Sequence, residues 1–161
     1  MAAGILTPLH VFRFQVDFFS DSLADGANHS PIPVCSGAFA ECTGLEATME
    51  AKAIKEGGRN YGTAQRAGAT TFATVVLKRG ISRNRNLYQI FNTVATGTFA
   101  PRMQVVITLL DIDRSPVVAW QLDRALPIKY KFADLNARNY EIGIEELHLA
   151  HEGLWSKSPG A

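Results

Sequence analysis

Histidines and carboxylates near the end of the chain are the side chains whose types and spacing could bind a metal ion. His148 and His151 are three residues apart, and Glu152 follows directly. The zinc motif H-E-x-x-H needs a helix to bring its two histidines onto one face. The residues around His148 alternate as in a strand, where positions three apart point to opposite faces. The sequence therefore predicts no metal site here.

The remaining chemical candidates are two cysteines, a glycine-rich stretch and several glutamates. Cys35 and Cys42 are seven residues apart, and an odd separation along a strand sends the two side chains to opposite faces, so no disulfide between them is expected. We interpret both as small, semi-buried hydrophobic residues. The stretch GGRNYG at 57–62 matches neither a Walker loop nor G-x-G-x-x-G, and no helix follows it. Most glutamates fall on polar strand faces that we expect to be solvated: Glu41, Glu46, Glu50, Glu141, Glu145 and Glu146. The sequence thus predicts no catalytic residue, no cofactor and no enzyme.

The composition is that of a folded domain with no electrostatic preference for a partner. Of the 161 residues, 47% are hydrophobic and 19% are charged, and the formal net charge is +1. This excludes a disordered chain, which combines low hydrophobicity with high net charge. Nothing in the charge balance indicates binding to nucleic acid or to an anionic membrane. The length predicts one domain, residues 1–161.

Alternation of apolar and polar residues predicts that strands position most of these side chains. Strands are expected at 10–19, at 37–56 with a bend near Gly44, and at 69–79, 103–111, 117–123, 128–132 and 140–149. In the second of these, Leu45, Ala47, Met49, Ala51 and Ala53 share one face, and we expect the first three of them to be needed for packing. In the last, Tyr140, Ile142 and Ile144 form the apolar face.

Residues 84–95 interrupt this alternation with the spacing of an amphipathic helix. Its apolar positions are i, i+3, i+4 and i+7, and they are Leu87, Ile90, Phe91 and Val94. Ser82 or Asn84 can cap the start, and Gly97 lies just past the end. The fold class is therefore mainly β: an antiparallel β-sandwich or small barrel with one flanking α-helix.

Two long loops and the sheet edges point to association with other chains. Loops are expected at 20–33 and at 56–68, where four glycines occur within thirteen residues. Long loops in small domains are functional or disordered. Exposed strand edges pair with other chains, and two different patches on one subunit make a head-to-tail contact that can close into a ring.

Short segments in a fixed order give the chain a resemblance to a known family. They are FRFQV at 12–16, ECTGLE at 41–46, EGGRN at 56–60, LKRGI at 77–81, LYQIF at 87–91, WQL at 120–122, ALPIKY at 125–130, LNA at 135–137 and EIGIEELHLAHEGL at 141–154. Across roughly residues 10–155 the chain resembles the tail tube proteins of contractile phages and contractile injection systems. It departs from them in carrying Tyr88 where the helix often has Trp, and in a long 20–33 loop.

The resemblance implies a structural subunit of the inner tube of a contractile tail or phage-tail-like injection system. Hexameric rings of such subunits stack into a hollow tube inside a sheath. The implied partners are further copies of the chain, the contractile sheath protein, baseplate proteins and tube-terminating proteins. DNA or protein cargo would pass through the lumen without sequence-specific binding. The protein would be made in the bacterial cytoplasm and become part of a virion tail or an injection particle.

For a tube subunit we expect two sets of functional residues, one facing the lumen and one contacting other subunits. The apolar stripe of the helix is a third set, with a role in packing. We expect Glu46, Thr48, Glu50 and Lys52 to face the lumen, because a tube needs a wettable inner wall. We expect the 56–68 loop to be an intersubunit arm, with contacts from Glu56, Gly57, Gly58, Arg59, Asn60, Tyr61, Gln65 and Arg66. The stripe of Leu87, Ile90, Phe91 and Val94 is expected to pack on the subunit's own sandwich.

Three alternatives stay open at this point. The chain could be the tube-initiating paralogue at the baseplate of the same machine, which has the same fold. It could be a more distant relative, the tube protein of a type VI secretion system. From a different class, an isolated small-ligand-binding β-barrel also fits the strand pattern.

Overall fold

Antiparallel strands dominate the computed structural model of the protein, which describes residues 8–20, 39–97 and 101–158. The elements in these ranges are β1 (Phe14–Ser20), β2 (Glu41–Thr43), β3 (Ala47–Ile54), β4 (Ala64–Phe72), β5 (Val75–Gly80), α1 (Asn86–Thr96), β6 (Met103–Leu110), β7 (Pro116–Lys131), β8 (Ile144–Ala150) and β9 (Gly153–Lys157). The mainly β class with one helix is as the sequence predicts. Cys35 and the predicted 20–33 loop beyond Ser20 lie outside the described residues. No helix in the described ranges is long and apolar enough to cross a membrane.

Strand β7 joins the two halves of the main sheet, whose order is β1-β6-β7-β8-β5-β2 with β9 also paired to β7. The first part of β7 pairs with β6 and β9, and its last part pairs with β8. The strands predicted separately at 117–123 and 128–132 are therefore one strand of 16 residues. Strand β9 was not among the predicted strands.

A bend at Arg124 lets β7 pair with β6 and β9 on one side of it and with β8 on the other. Arg124 has a left-handed φ of 51°, which is uncommon for a residue with a side chain. Its Nε donates to Glu152 Oε2 at 2.9 Å, and the backbone N–H of Glu152 donates to the carbonyl of Asp123 at 3.0 Å. Glu152 lies in the short connection between β8 and β9, so these two hydrogen bonds tie that connection to β7.

The core lies under this bent sheet and is built by alternate strand residues. Its largest fully buried side chains are Val16, Phe18, Val75, Leu77, Val105, Ile107, Leu122, Leu147 and Leu149 from the strands, and Leu87 from the helix. Phe14 packs partly against this cluster, whereas Phe12 precedes β1 and stays 60% exposed. The predicted period of two in residues 10–19 therefore holds from β1 onwards.

The predicted faces of the last strand are wrong. Strand β8 begins at Ile144, and its inward face carries Glu145, Leu147 and Leu149, while Ile142 and Ile144 are exposed. Glu145 is 3% exposed, so it is not on a solvated face as expected. A glutamate is tolerated there because Arg79 and Tyr130 both donate hydrogen bonds to its carboxylate.

Helix α1 lies two residues later than predicted at its start and one residue later at its end. Leu87 is fully buried, Ile90 and Phe91 pack partly against the core, and Val94 is half-buried. The predicted side-chain cap is wrong: the N-cap is Arg85, and no side chain bonds there. Gly97 does end the helix, with its N–H donating to the Thr93 carbonyl at 3.1 Å.

The predicted strands at 37–56 and 69–79 both divide, because each contributes to the main sheet and to a separate hairpin. Residues 37 and 38 lie outside the described part. The remainder of the first forms β2 and β3, which are separated at Gly44. The second covers the end of β4 and all of β5 except Gly80. Strand β4 begins earlier than predicted, at Ala64. Strands β3 and β4 form a two-stranded sheet of their own.

Candidate functional site

The hairpin of β3 and β4, with the loop 55–63 between them, is the largest feature without a partner in the described chain. We call residues 47–72 the hairpin arm. All eight residues of β3 are exposed, and β4 is exposed except at Ala64, Gly68 and Phe72. Neither strand pairs with another strand in the described ranges. An isolated two-stranded hairpin is marginally stable in water, so a contact that covered the arm would stabilise it.

Gly44 fixes the point where the arm leaves the body. Its φ is 87°, and a Cβ atom there would lie 2.1 Å from the carbonyl oxygen of Thr74. The N–H of Ala73 donates to the Glu46 carbonyl at 3.1 Å, which ties the two strands together at their root. The ring of Phe72 packs 5.3 Å from the ring of His151 on the body. The root is therefore held by backbone contact and one aromatic pair.

A bulge in the middle of the arm changes its course. The register shifts between Met49 and Ala51, so that Gly68 and Ala69 of β4 lie opposite Glu50 of β3. A Cβ atom on Gly68 would lie 2.6 Å from the Glu50 carbonyl oxygen. Bulges bend a strand and increase its twist, so the distal arm points differently from the root.

The two faces of the arm differ in chemistry, as the alternation predicts. Glu46 precedes β3, and Thr48 donates to its carboxylate at 3.4 Å; Glu50 and Lys52 follow on the same side of the strand. All four predicted lumen residues are exposed. The opposite face carries Ala47, Met49, Ala51 and Ala53. Of the three residues expected to be needed for packing, Leu45 packs partly against the core, but Ala47 and Met49 do not: Ala47 is exposed and Met49 is 57% exposed.

The loop at the end of the arm is shorter than predicted and spans 55–63. Glu56 and Arg59 form an ion pair of 3.1 Å across a turn in which Gly58 has a φ of 82°. Tyr61 is 95% exposed. Gln65 and Arg66, which the sequence analysis placed in the loop, lie in β4 opposite Ala53 and Lys52.

No group of three or more metal-ligating side chains comes together among the residues that the structure describes. His148 contacts Glu146 at 3.3 Å, and His151 Nδ1 lies 3.0 Å from the Gly153 carbonyl oxygen. The other ring nitrogen of His151 is buried without a hydrogen-bond partner in the described chain.

Burial raises the pKa of the Cys42 thiol to about 11, which keeps it protonated and unreactive at neutral pH.

A comparison of the chain with known protein families identifies the class of protein that carries this arm. Residues 10–155 match the family described as T4-like virus tail tube protein gp19. The chain belongs to this family. It is a structural subunit of a tail tube and not an enzyme. No curated protein sequence matches the chain.

Solved structures similar to this tube subunit come from contractile injection systems. A chain in the anti-feeding prophage baseplate is 27% identical, with a TM-score of 0.81 over 98% of this chain and 100% of that one. A chain in the sheath–tube complex of the extracellular contractile injection system PVC is 15% identical, with a TM-score of 0.78 over 96% of this chain and 94% of that one. An Hcp protein shares the fold at 8% identity, with a TM-score of 0.53 over 90% of this chain and 98% of that one. An isolated ligand-binding barrel is not favoured.

The tube subunit carries a polar cluster that sequence reasoning missed. Glu145 accepts hydrogen bonds from Arg79 Nε and from the Tyr130 hydroxyl, each at 2.5 Å. Arg79 also donates to the carbonyl of Asn84, just before α1, at 3.3 Å. Burial and the nearby carboxylate of Glu145 raise the pKa of Tyr130, which keeps its hydroxyl a donor. The cluster thus connects β5, β7, β8 and the start of the helix.

Aromatic rings cover this cluster on the helix side. Tyr88 lies 5.7 Å from Tyr130 and 5.5 Å from Phe132, measured between ring centroids, and Phe91 stacks on Tyr130 at 6.4 Å. Tyr88 replaces the tryptophan that the family often carries, and its ring still makes this contact. The helix is thereby fixed on the end of β7 by both polar and aromatic contacts.

Proposed function

We propose that the chain, residues 1–161 as a single tail-tube domain, forms hexameric rings that stack into the inner tube of a contractile particle. The observation that carries the proposal is the hairpin arm, which is exposed on both faces and paired with nothing else in the described chain. Covering its apolar face with another subunit removes Met49 and its alanine neighbours from water. Each Å² of apolar surface removed from water contributes about 25 cal/mol of stabilisation. Contacts repeated around a ring together offset the conformational entropy that is lost when the arms become ordered.

The polar face of the arm suits the wall of a conduit. Glu46, Thr48, Glu50 and Lys52 are exposed and carry both signs of charge. A wettable wall of mixed charge lets cargo pass without strong adhesion. We therefore assign this face to the lumen, with DNA or protein as cargo that no residue recognises by sequence.

The partners follow from the assemblies that hold similar chains. These are a baseplate, a sheath–tube complex, and a tube-terminating cap whose chain is 18% identical. We propose that this subunit contacts further copies of itself, a contractile sheath, a baseplate and a terminator. Its synthesis would take place in the bacterial cytoplasm, before it joins a virion tail or an injection particle.

Electron microscopy of the purified full-length protein tests this function. The expected result is rings with six-fold symmetry, or stacked tubes, at high protein concentration. Native mass spectrometry should then give six copies per ring. A protein that stays monomeric at millimolar concentration, and does not join tubes when mixed with a baseplate complex, would overturn the proposal.

A variant with a shortened arm separates assembly from folding. Replacing residues 55–63 with Asn-Gly keeps both strands and favours a tight hairpin turn. We expect a folded subunit that no longer forms long tubes. The matched control is Ile112→Ser in the β6–β7 turn, where an exposed residue is changed outside the arm. Tubes of normal length from the shortened protein would show that the loop has no role in assembly.

A further inference from the structure

An acidic cleft of about 460 Å³ lies on the body, next to the sheet edge that β2 forms. It is bordered by the start of β2, the middle of β5, the start of β8 and the connection between β7 and β8. Its charged lining consists of four carboxylates and two lysines: Glu41, Asp134, Glu141, Glu146, Lys78 and Lys131. The cleft therefore carries an excess of negative charge.

Most of these charges have a partner within the subunit, but among the described residues Glu141 has none. Lys78 pairs with Glu41 at 3.2 Å, and Lys131 pairs with Asp134 at 3.3 Å. Glu146 contacts His148 at 3.3 Å. Glu141 is exposed and forms no ion pair with any residue in the described ranges. Its carboxylate is thus available to a cation from outside the subunit.

Apolar side chains also border the cleft. Ile142 is 79% exposed and Ile144 is 41% exposed, directly beside Glu141 and Glu146. Asn136 and Asn139 add amide groups to the lining. The cleft thus offers an apolar contact, hydrogen-bonding groups and negative charge together, which suits an aromatic residue flanked by cations.

The distal half of the hairpin arm has the complementary chemistry. The loop 55–63 at its end lies beyond the lumen face and contains two cationic side chains and one carboxylate: Lys55, Arg59 and Glu56. Tyr61 at the tip is 95% exposed, so it does not occupy the cleft of its own chain. Burying a tyrosine covers about 150–250 Å² of its surface and leaves its hydroxyl free to find a partner.

We infer that the distal arm of one subunit binds the acidic cleft of the next copy of this chain, with Tyr61 against Ile142 and Lys55 facing Glu141. The inference rests on the proposed tube function and names the surface that receives the arm. Arm and cleft are different patches on one chain, so their contact is head-to-tail and closes into a ring when the rotation permits.

The placement of the two patches allows this contact. The arm leaves the β2–β5 edge beside the pair Thr43 and Val76, and the cleft lies at the pair Glu41 and Lys78 on the same edge. The eight residues of β3 extend about 26 Å at 3.3 Å per residue. The tip can therefore reach beyond its own subunit to a neighbour's cleft.

Charge reversal in full-length protein tests the pairing. Lys55→Glu and Glu141→Lys each place like charges at the contact, and we expect each to raise the concentration for ring formation about tenfold or more. The matched control Lys157→Glu reverses an exposed lysine at the end of β9 and should assemble normally. Circular dichroism and melting temperature verify that each variant folds.

An equal mixture of the two variants gives the most specific outcome. Two neighbours of the same variant place like charges at their contact, two carboxylates for Lys55→Glu and two ammonium groups for Glu141→Lys. When the variants alternate around the ring, the reversed arm of one meets the reversed cleft of the other, and the two unchanged patches also meet. Every contact then joins opposite charges. We expect rings with three copies of each variant by native mass spectrometry, with one variant isotopically labelled.

Several results would overturn the inference. Rings formed normally by both single variants would do so, as would variants that fail alone and also fail when mixed. Loss of sheath binding with intact rings would assign the cleft to the sheath instead. If the unmodified protein forms no rings, the proposed function itself fails. Failure of the function is therefore distinguishable from failure of the arm–cleft contact alone.

Discussion

Arg79 on β5 donates to the buried carboxylate of Glu145 on β8 at 2.5 Å, and its guanidinium also donates to the carbonyl of Asn84, just before α1, at 3.3 Å. The Tyr130 hydroxyl completes the group by donating to the second carboxylate oxygen. The cluster thereby ties β5 and β8 to the end of β7, where the rings of Tyr88 and Phe91 on α1 pack on Tyr130.

Breaking this ion pair should destabilise the subunit strongly. Glu145→Ala leaves the Arg79 guanidinium buried without its carboxylate, which costs about 3–5 kcal/mol. Urea unfolding followed by circular dichroism measures the loss. Replacing both residues, as Arg79→Met with Glu145→Leu, should cost far less because no charge is left unpaired. Equal losses for the single and the double variant would contradict this account.

Removing the Tyr130 hydroxyl should have a smaller effect. Tyr130→Phe deletes one hydrogen bond to a charged group, with an expected cost of about 1.5–3 kcal/mol. Tyr88→Phe is the matched control, because no hydrogen bond of the Tyr88 hydroxyl is found in the described chain. Thermal melts should separate the two variants, and identical melting temperatures would show that the Tyr130 hydrogen bond contributes nothing.

The helix stripe should matter for folding and not for tube formation. Leu87 is fully buried, so Leu87→Ala should cost about 2–5 kcal/mol. Phe91 is only half-buried, so Phe91→Ala should cost less than the roughly 3–5 kcal/mol expected of a fully buried phenylalanine. Melting curves check both values. Well-folded variants that fail only in ring stacking would place this face at an interface instead.

Two glycines should be needed for the arm, and a third should not. Alanine at Gly44 or Gly68 would clash with a backbone carbonyl, whereas a Cβ at Gly57 meets nothing within 4 Å. Gly44→Ala should lower the melting temperature, because strain adds to the clash at its positive φ. Gly68→Ala should disturb the arm and reduce assembly with little change in the melting of the body. Gly57→Ala should behave like the parent.

The Cys42 thiol should give the subunit a stability loss in alkaline solution. Its pKa is raised from 9.0 to about 11 by burial, so the folded state holds its proton more tightly than the unfolded state. The stabilisation of the folded state by the protonated thiol is complete below about pH 9 and is lost as the pH rises towards about 11. Denaturation at a series of pH values should show less decline for Cys42→Ala than for the parent over that window. Parallel curves would contradict the assignment.

The sequence predicted the strand-rich fold, the helix stripe and the polar face of the arm because each follows from local periodicity. It did not predict that β7 continues through Arg124, since a bend fixed by Glu152 depends on a contact far along the chain. The buried Glu145 was missed for the same reason: its partners Arg79 and Tyr130 lie on other strands. The start of β4 at Ala64 was missed because glycines and polar residues there resemble a loop, although cross-strand pairing extends the hairpin.

A cryo-electron microscopy map of the assembled full-length protein tests the central claim most directly. The account predicts six-fold rings in which residues 47–72 of each subunit lie against the adjacent subunit, with Glu46, Thr48, Glu50 and Lys52 lining the lumen. Rings in which the hairpin arm contacts no neighbour, or in which these four side chains face away from the lumen, would contradict it.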